Sequence, residues 1–85
     1  MNDPKRPSRG AERQALDRLL VEVNLARAAL QQCHQDGTRW DERRLREELL
    51  AALEAYAAAV ADVGAPLPYR IRDELSLYRR LNAGP

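Results

Sequence analysis

Phenylalanine is absent from this 85-residue chain, and the other aromatic residues are few, with one Trp and three Tyr. The core must therefore be built from Leu, Val and Ala, whose small side chains bury little area each at about 25 cal/mol per Å². The length allows one domain, near the size at which a single core supplies only ~3–5 kcal/mol of net stability. Self-association or a bound partner is a natural way to add buried surface.

Cysteine and histidine occur once each, as the neighbours Cys33 and His34. A single cysteine excludes an intrachain disulfide framework and fits a reducing compartment. Neighbouring residues on a helix point about 100° apart, so this pair cannot face one metal ion, and no second pair completes a zinc site. Cys33 continues an apolar helical seam and is interpreted as a buried structural thiol. We expect neither a metal site nor a cofactor.

Sequence motifs of catalysis are also missing, among them a Gly-rich phosphate loop, HExxH and a Ser nucleophile elbow. Glu47, Glu48 and Glu54 lie among arginines at helical spacing, so surface ion pairs account for them. With a lone His and few polar residues predicted to point inward, the chain is not expected to be an enzyme or to bind a small-molecule substrate.

The chain has no large excess of acidic or basic residues, since its net charge is +1 and charges of both signs alternate along it. A global attraction to nucleic acid or to a membrane surface is therefore not indicated. No stretch reaches the ~18 apolar residues of a membrane span, and the N-terminus lacks the apolar segment of a secretory signal. These absences predict a cytoplasmic protein, and the richness in Arg and Ala fits a GC-rich bacterial genome.

The stretch Arg43–Val63 is the most informative part of the sequence. At about 100° per residue, its apolar side chains cover about half of a helix circumference, more than one neighbouring helix can bury. Two overlapping seams run along it. One consists of Leu49, Leu53, Tyr56, Val60 and Val63, and the other of Leu45, Leu49, Ala52, Tyr56, Ala59 and Val63. The helix must therefore be covered on two sides.

A first helix is predicted at 11–36, where an unbroken three–four spacing produces a heptad seam made of Leu16, Leu19, Val23, Ala26, Leu30 and Cys33. The second helix is predicted at 41–63. The short connection after Gly37 requires an antiparallel hairpin in which facing residue numbers sum to about 75. Arg27 is expected to pair with Glu48.

Two alternatives exist for the start of the second helix. Thr38 with Asp41 forms a weak capping box, whereas Asp41 as N-cap lets Trp40 pack on Leu45 as a hydrophobic staple. The second alternative is favoured because it gives the only Trp a packing partner. Gly64 is placed to end this helix as a C′ residue.

After the turn at 64–68, a third helix is predicted at 68–82, with Pro68 at its first position. Its buried stripe is expected to be Ile71, Leu75, Tyr78 and Leu81, with Leu77 at the margin. Residues 1–10, with two prolines and a glycine, are predicted to form a disordered basic tail. The sequence thus predicts an all-α, three-helix domain over 11–85: a long antiparallel helical hairpin plus a shorter C-terminal helix over the alanine-rich side of the second.

An apolar island lies on the back of the first helix, opposite the heptad seam, and consists of Val21, Leu25, Ala28 and Ala29. A two-helix hairpin with one core face does not need it. Either the third helix or the tail folds across it, or it is the interface of a homodimer or of another protein partner.

The third helix carries a second candidate surface, opposite its buried stripe, formed by Tyr69, Arg72, Ser76, Arg79 and Arg80. Such residues contact nucleic-acid phosphates well and are also common at protein interfaces. Asp73 and Glu74 interrupt the basic run, and an ordinary solvated face is the alternative. The sequence therefore predicts a non-enzymatic protein–protein interaction module, a small adaptor or regulator and a homodimer, with a nucleic-acid-binding regulator as the competing hypothesis.

Overall fold

The computed structural model describes residues 9–37 and 39–83. Its elements are α1 at Arg9–Asp36, a 3-10 turn at Arg39–Asp41, α2 at Glu42–Asp62 and α3 at Tyr69–Asn82. The described residues contain no strand, and the predicted all-α architecture of three packed helices is confirmed. None of the helices in this part of the chain is both long and apolar enough to cross a membrane.

The helix ends differ from the predicted ones by one or two residues. Helix α1 begins at Arg9, so the last two residues of the predicted tail are helical, while the rest of that tail, residues 1–8, lies outside the described residues. Helix α3 begins at Tyr69 because Pro68 is its N-cap and not its first helical residue. The Pro68 carbonyl accepts the N–H of Arg72 at 3.0 Å, as the N-cap position requires.

The connection between α1 and α2 is a tight turn that begins at Gly37, whose φ of 71° is accessible to glycine at low cost. Asp41 occupies the predicted N-cap of α2 but makes no capping side-chain hydrogen bond. The predicted staple is wrong, because Trp40 is 82% exposed within the 3-10 turn. The competing cap, Thr38, lies outside the described residues.

The hairpin register is the one that the sequence predicts. His34 Nε2 lies 3.0 Å from Glu42 Oε1, a pair whose numbers sum to 34 + 42 = 76. Along α1 the heptad seam faces α2, and Val23, Leu30 and Cys33 are buried. The antiparallel hairpin is therefore confirmed.

Helix α2 is covered on two sides, which is the central prediction from the sequence. Leu49 and Leu53 have no exposed surface. They lie in a core cluster to which all three helices contribute, composed of Val23, Leu30, Leu49, Leu53, Ile71 and Leu75. Because α1 and α3 both pack on α2, the middle helix carries most of the buried contacts of the domain.

The turn between α2 and α3 begins with a Schellman motif. Gly64 has a φ of 73° and donates its N–H to the Ala61 carbonyl at 3.0 Å, while the Ala65 N–H reaches the Val60 carbonyl at 3.1 Å. The two bonds satisfy carbonyls at the end of α2 and reverse the chain. Helix α3 then runs antiparallel along α2, as the pairs Arg79–Glu54 and Asn82–Arg46 show.

The buried stripe of α3 is shorter than predicted. Ile71 and Leu75 are buried and Tyr78 is half-buried, but Leu81 is 44% exposed, so its placement in the stripe is wrong. In the last turn Asn82 faces α2 instead and donates from Nδ2 to the Arg46 carbonyl at 3.3 Å. Leu81 lies about 80° around the helix from Ile71, at the margin of the contact.

Replacing Leu53 by alanine should destabilise the domain by about 2–5 kcal/mol, because the side chain is enclosed by all three helices and its loss leaves a cavity. Urea unfolding followed by circular dichroism measures the loss. Leu77→Ala is the matched control, since Leu77 is 41% exposed and should cost about 1 kcal/mol or less. Equal losses for the two variants would contradict a core centred on α2.

Candidate interaction surfaces

The outer face of α1 carries the largest exposed aliphatic side chains of that helix. Leu25 is 65% exposed and Val21 is 55% exposed, and both Ala28 and Ala29 are exposed beside them. We call these four residues the α1 island. Its centre, Leu25, lies on the opposite side of the helix from Val23 and Leu30, because residues two apart point about 160° apart and residues five apart about 140°.

Helix α3 does not cover the α1 island. No Cα of α3 lies within 8 Å of an α1 Cα in the described residues, and α3 meets α1 only through side chains of the core cluster and of Arg27, on the opposite side of α1 from the island. The alternative in which the third helix folds across the island is therefore wrong. The other alternative assigns the cover to the N-terminal tail, most of which lies outside the described residues.

Polar side chains border the α1 island at both ends. Arg18 precedes it, and Gln32 follows it and donates from Nε2 to Asp36 Oδ1 at 3.0 Å. Neither Arg18 nor Asp36 belongs to an ion pair within residues 9–37 and 39–83. Among residues 9–37 and 39–83, the island is thus an apolar patch with a positive charge outside any ion pair at one end and a negative charge outside any ion pair at the other.

The second candidate surface, the outer face of α3, is exposed as predicted, and Tyr69 is 79% exposed. We call its five residues the α3 arginine face: Tyr69, Arg72, Ser76, Arg79 and Arg80. Its positive charge is partly neutralised, because Arg79 Nε donates to Glu54 Oε1 of α2 at 3.1 Å. Arg72 and Arg80 form no ion pair with any described residue, and the exposed Asp73 lies between them.

A polar contact with a different partner from the predicted one ties α3 to α1. Arg27 binds Glu74 of α3 and not Glu48, with Nε donating to Oε2 at 2.9 Å and Nη2 donating to Oε1. The side chains of Arg27 and Glu74 are only 22% and 17% exposed. The hydrogen bond to Glu74 raises the pKa of Arg27 against the opposing effect of burial. Glu48 pairs with Arg44 on the surface of α2 instead.

Tyr78 lies on α3 one turn beyond Glu74 and is half-buried. Burial raises the pKa of its phenol above 10.0, and the Glu74 carboxylate raises it further. The positive charges of Arg27 and Arg46 lower the pKa of Tyr78. The phenol therefore stays neutral over a wider pH range in the folded chain than in the unfolded one.

The surface of the described residues has concave regions at the hairpin turn and near the start of α1. A cavity of about 320 Å³ at the hairpin turn is lined by Cys33, His34, Gly37, Arg39 and Glu42. A larger, open depression of about 640 Å³ is bordered by Leu16, Tyr56 and Val63. Across residues 9–37 and 39–83, no group of three or more His, Cys, Asp or Glu side chains is arranged to hold a metal ion.

Three exposed apolar residues were not predicted as surface. They are Trp40 in the turn, Val63 at the end of α2 and Leu81 on α3. Leu77, about 120° from Ile71 on the helix, is predicted at the margin of the stripe and is 41% exposed. No comparable signal exists for Trp40, because its exposure depends on the geometry of the 3-10 turn.

No protein-family model, curated protein or solved structure matches this chain.

The raised pKa of Tyr78 predicts a loss of stability in alkali. Because the folded state holds the phenolic proton more tightly, this contribution is complete below about pH 10 and disappears as the pH rises through the raised pKa. Urea unfolding from pH 8 upward should show the decline above about pH 10. The decline in the free energy of unfolding should be smaller in Tyr78→Phe. In Tyr69→Phe, where the altered ring is exposed, the decline should equal that of the parent chain.

Proposed function

We propose that this chain is a non-enzymatic helical protein–protein interaction module, a small adaptor or regulator that acts through the α1 island as a homodimer. The observation that carries the proposal is the exposure of Leu25 and Val21 on a helix whose opposite face supplies Val23, Leu30 and Cys33 to the interior. An apolar patch rimmed by polar residues is typical of protein interaction sites.

The composition of the α1 island suits helix-to-helix docking. Ala28 and Ala29 allow another backbone to approach closely, and alanine loses no side-chain entropy when it is buried. Leu25 and Val21 then supply the apolar area. Because the domain has a small core, burial of this face would also add to its limited net stability.

The size of the α1 island limits the expected affinity. From Val21 to Ala29 the helix rises about 12 Å, less than the extent of a standard interface of about 800 Å² per partner. Bordering residues such as Arg18 and Gln32 must therefore take part. We expect a reversible association whose extent depends on protein concentration.

Leu25→Glu should convert the dimer to a monomer, because the substitution places a charge at the centre of the apolar contact. Sedimentation equilibrium over a concentration series measures the change in mass. Leu77→Glu is the control, since it makes the same substitution at a partly exposed leucine of α3. A parent chain that is monomeric throughout, or a Leu25→Glu variant that still dimerises, would contradict the proposal.

A nucleic-acid-binding regulator is the second candidate function, and the observation that favours it is the exposure of the α3 arginine face. Arg72 and Arg80 carry charges that no described side chain neutralises. Tyr69 adds an exposed ring that can stack or donate a hydrogen bond to phosphate. The bond between Arg79 and Glu54 weakens this candidate, because it removes one of the three arginines.

If the α3 arginine face binds DNA or RNA, affinity should fall with added salt at a log–log slope of about −2, as expected for two phosphates. Arg72→Ala and Arg80→Ala should each reduce the magnitude of that slope by about 1. Arg43→Ala is the control, because Arg43 lies on α2 and pairs with Glu47. Fluorescence anisotropy that shows no association at ~50 mM salt would exclude this function.

A further inference from the structure

We propose that the partner of the α1 island is the same island of a second copy, packed antiparallel about a two-fold axis at Leu25. This inference rests on the proposed function and specifies its geometry. It follows from the distribution of side-chain size and charge along the outer face of α1, and from the absence of any described helix over that face.

Side-chain size is complementary in this arrangement. In an antiparallel pair centred on Leu25, facing residue numbers sum to about 50, so Val21 lies opposite the partner's Ala29 and the two Leu25 side chains meet at the axis. Large residues then pack on small ones at both ends of the contact. A register shifted by one turn places Val21 opposite the partner's Leu25, but it also sets Ala28 against Arg18 and Ala29 against Asp17, so the small residues lose their apolar partners.

Charge is complementary in the same register. Arg18 faces the partner's Gln32, which holds the carboxylate of Asp36 one turn further along the helix. Arg18 can therefore approach the partner's Gln32–Asp36 pair, and the two-fold axis repeats the contact at the other end. In a parallel pair, Arg18 would face Arg18 and Asp36 would face Asp36, which disfavours that arrangement.

The rest of the domain permits this pairing. Helices α2 and α3 lie on the core side of α1, so they do not obstruct a second α1 on its outer face. Arg18 and Asp36 have no competing ion pairs in the described part of the chain. The same contact can therefore form at both ends without breaking an existing one.

A charge-swap series on the full chain tests the antiparallel sense. Arg18→Asp and Asp36→Arg should each raise the dimer dissociation constant about fivefold, since each places like charges together at both ends. The double variant should recover most of that loss, because it restores opposite charges across the axis. Failure of the double variant to recover would overturn the antiparallel arrangement.

Cysteine cross-linking tests the register independently. In a Cys33→Ala background, Leu25→Cys should form a disulfide-linked dimer on air oxidation, because the two positions meet at the axis. Arg18→Cys alone should not link, whereas a mixture of Arg18→Cys and Gln32→Cys chains should give the mixed dimer. Self-linking of Arg18→Cys would overturn the inference in favour of a parallel pair.

Different results would exclude the homodimer itself and its antiparallel geometry. A parent chain that sediments as a monomer removes both the homodimer and its geometry. A parent dimer that Leu25→Glu disrupts, but that shows no recovery in the charge swap, keeps the island as an interface and removes the antiparallel pairing alone.

Discussion

The structure depends on the apolar circumference of α2. Leu49 and Leu53 are enclosed completely, and they can be so only because α1 and α3 lie on two different sides of the same helix. Half a helix circumference of aliphatic surface cannot be removed from water by one neighbour. The short turn after α1 and the Schellman turn after α2 make this enclosure possible, because each reverses the chain so that the neighbouring helix packs along α2.

Helix α1 has a different role, because the fold needs only one of its faces. Its heptad seam packs on α2, and the opposite face contributes nothing to the core, yet it carries Leu25 and Val21. The outer face of α2 makes the contrast clear. There the exposed apolar residues are alanines, such as Ala51 and Ala55, which add little surface and favour the helix. Exposed branched side chains on α1 therefore call for an explanation outside the monomer.

Most of the architecture could be predicted because it depends on local patterns. The three–four spacing of apolar residues placed the helices, glycines placed the two reversals, and the short first turn determined the hairpin register that the His34–Glu42 pair confirms. The position of α3 beside α1 could not be derived in this way. Arg27 was assigned to Glu48 by the hairpin register alone, whereas its partner comes from a third helix whose lateral placement no periodicity specifies.

The candidate sites were predictable to a similar degree. The composition of the α1 island and of the α3 arginine face could be read from helical spacing, and both lie on the surface. The sequence did not reveal whether α3 covers the island, because that depends on which side of α2 the third helix occupies. The neutralisation of Arg79 by Glu54 was likewise hidden, since it joins two helices across their contact.

The location of the only tryptophan has a practical consequence for spectroscopy. Trp40 is at the hairpin turn with 82% of its surface in solvent, so its indole meets water in the folded chain much as it does in the unfolded one. Intrinsic indole emission should therefore barely change during unfolding. The same fluorophore is instead a natural reporter for any molecule that docks at that end of the hairpin.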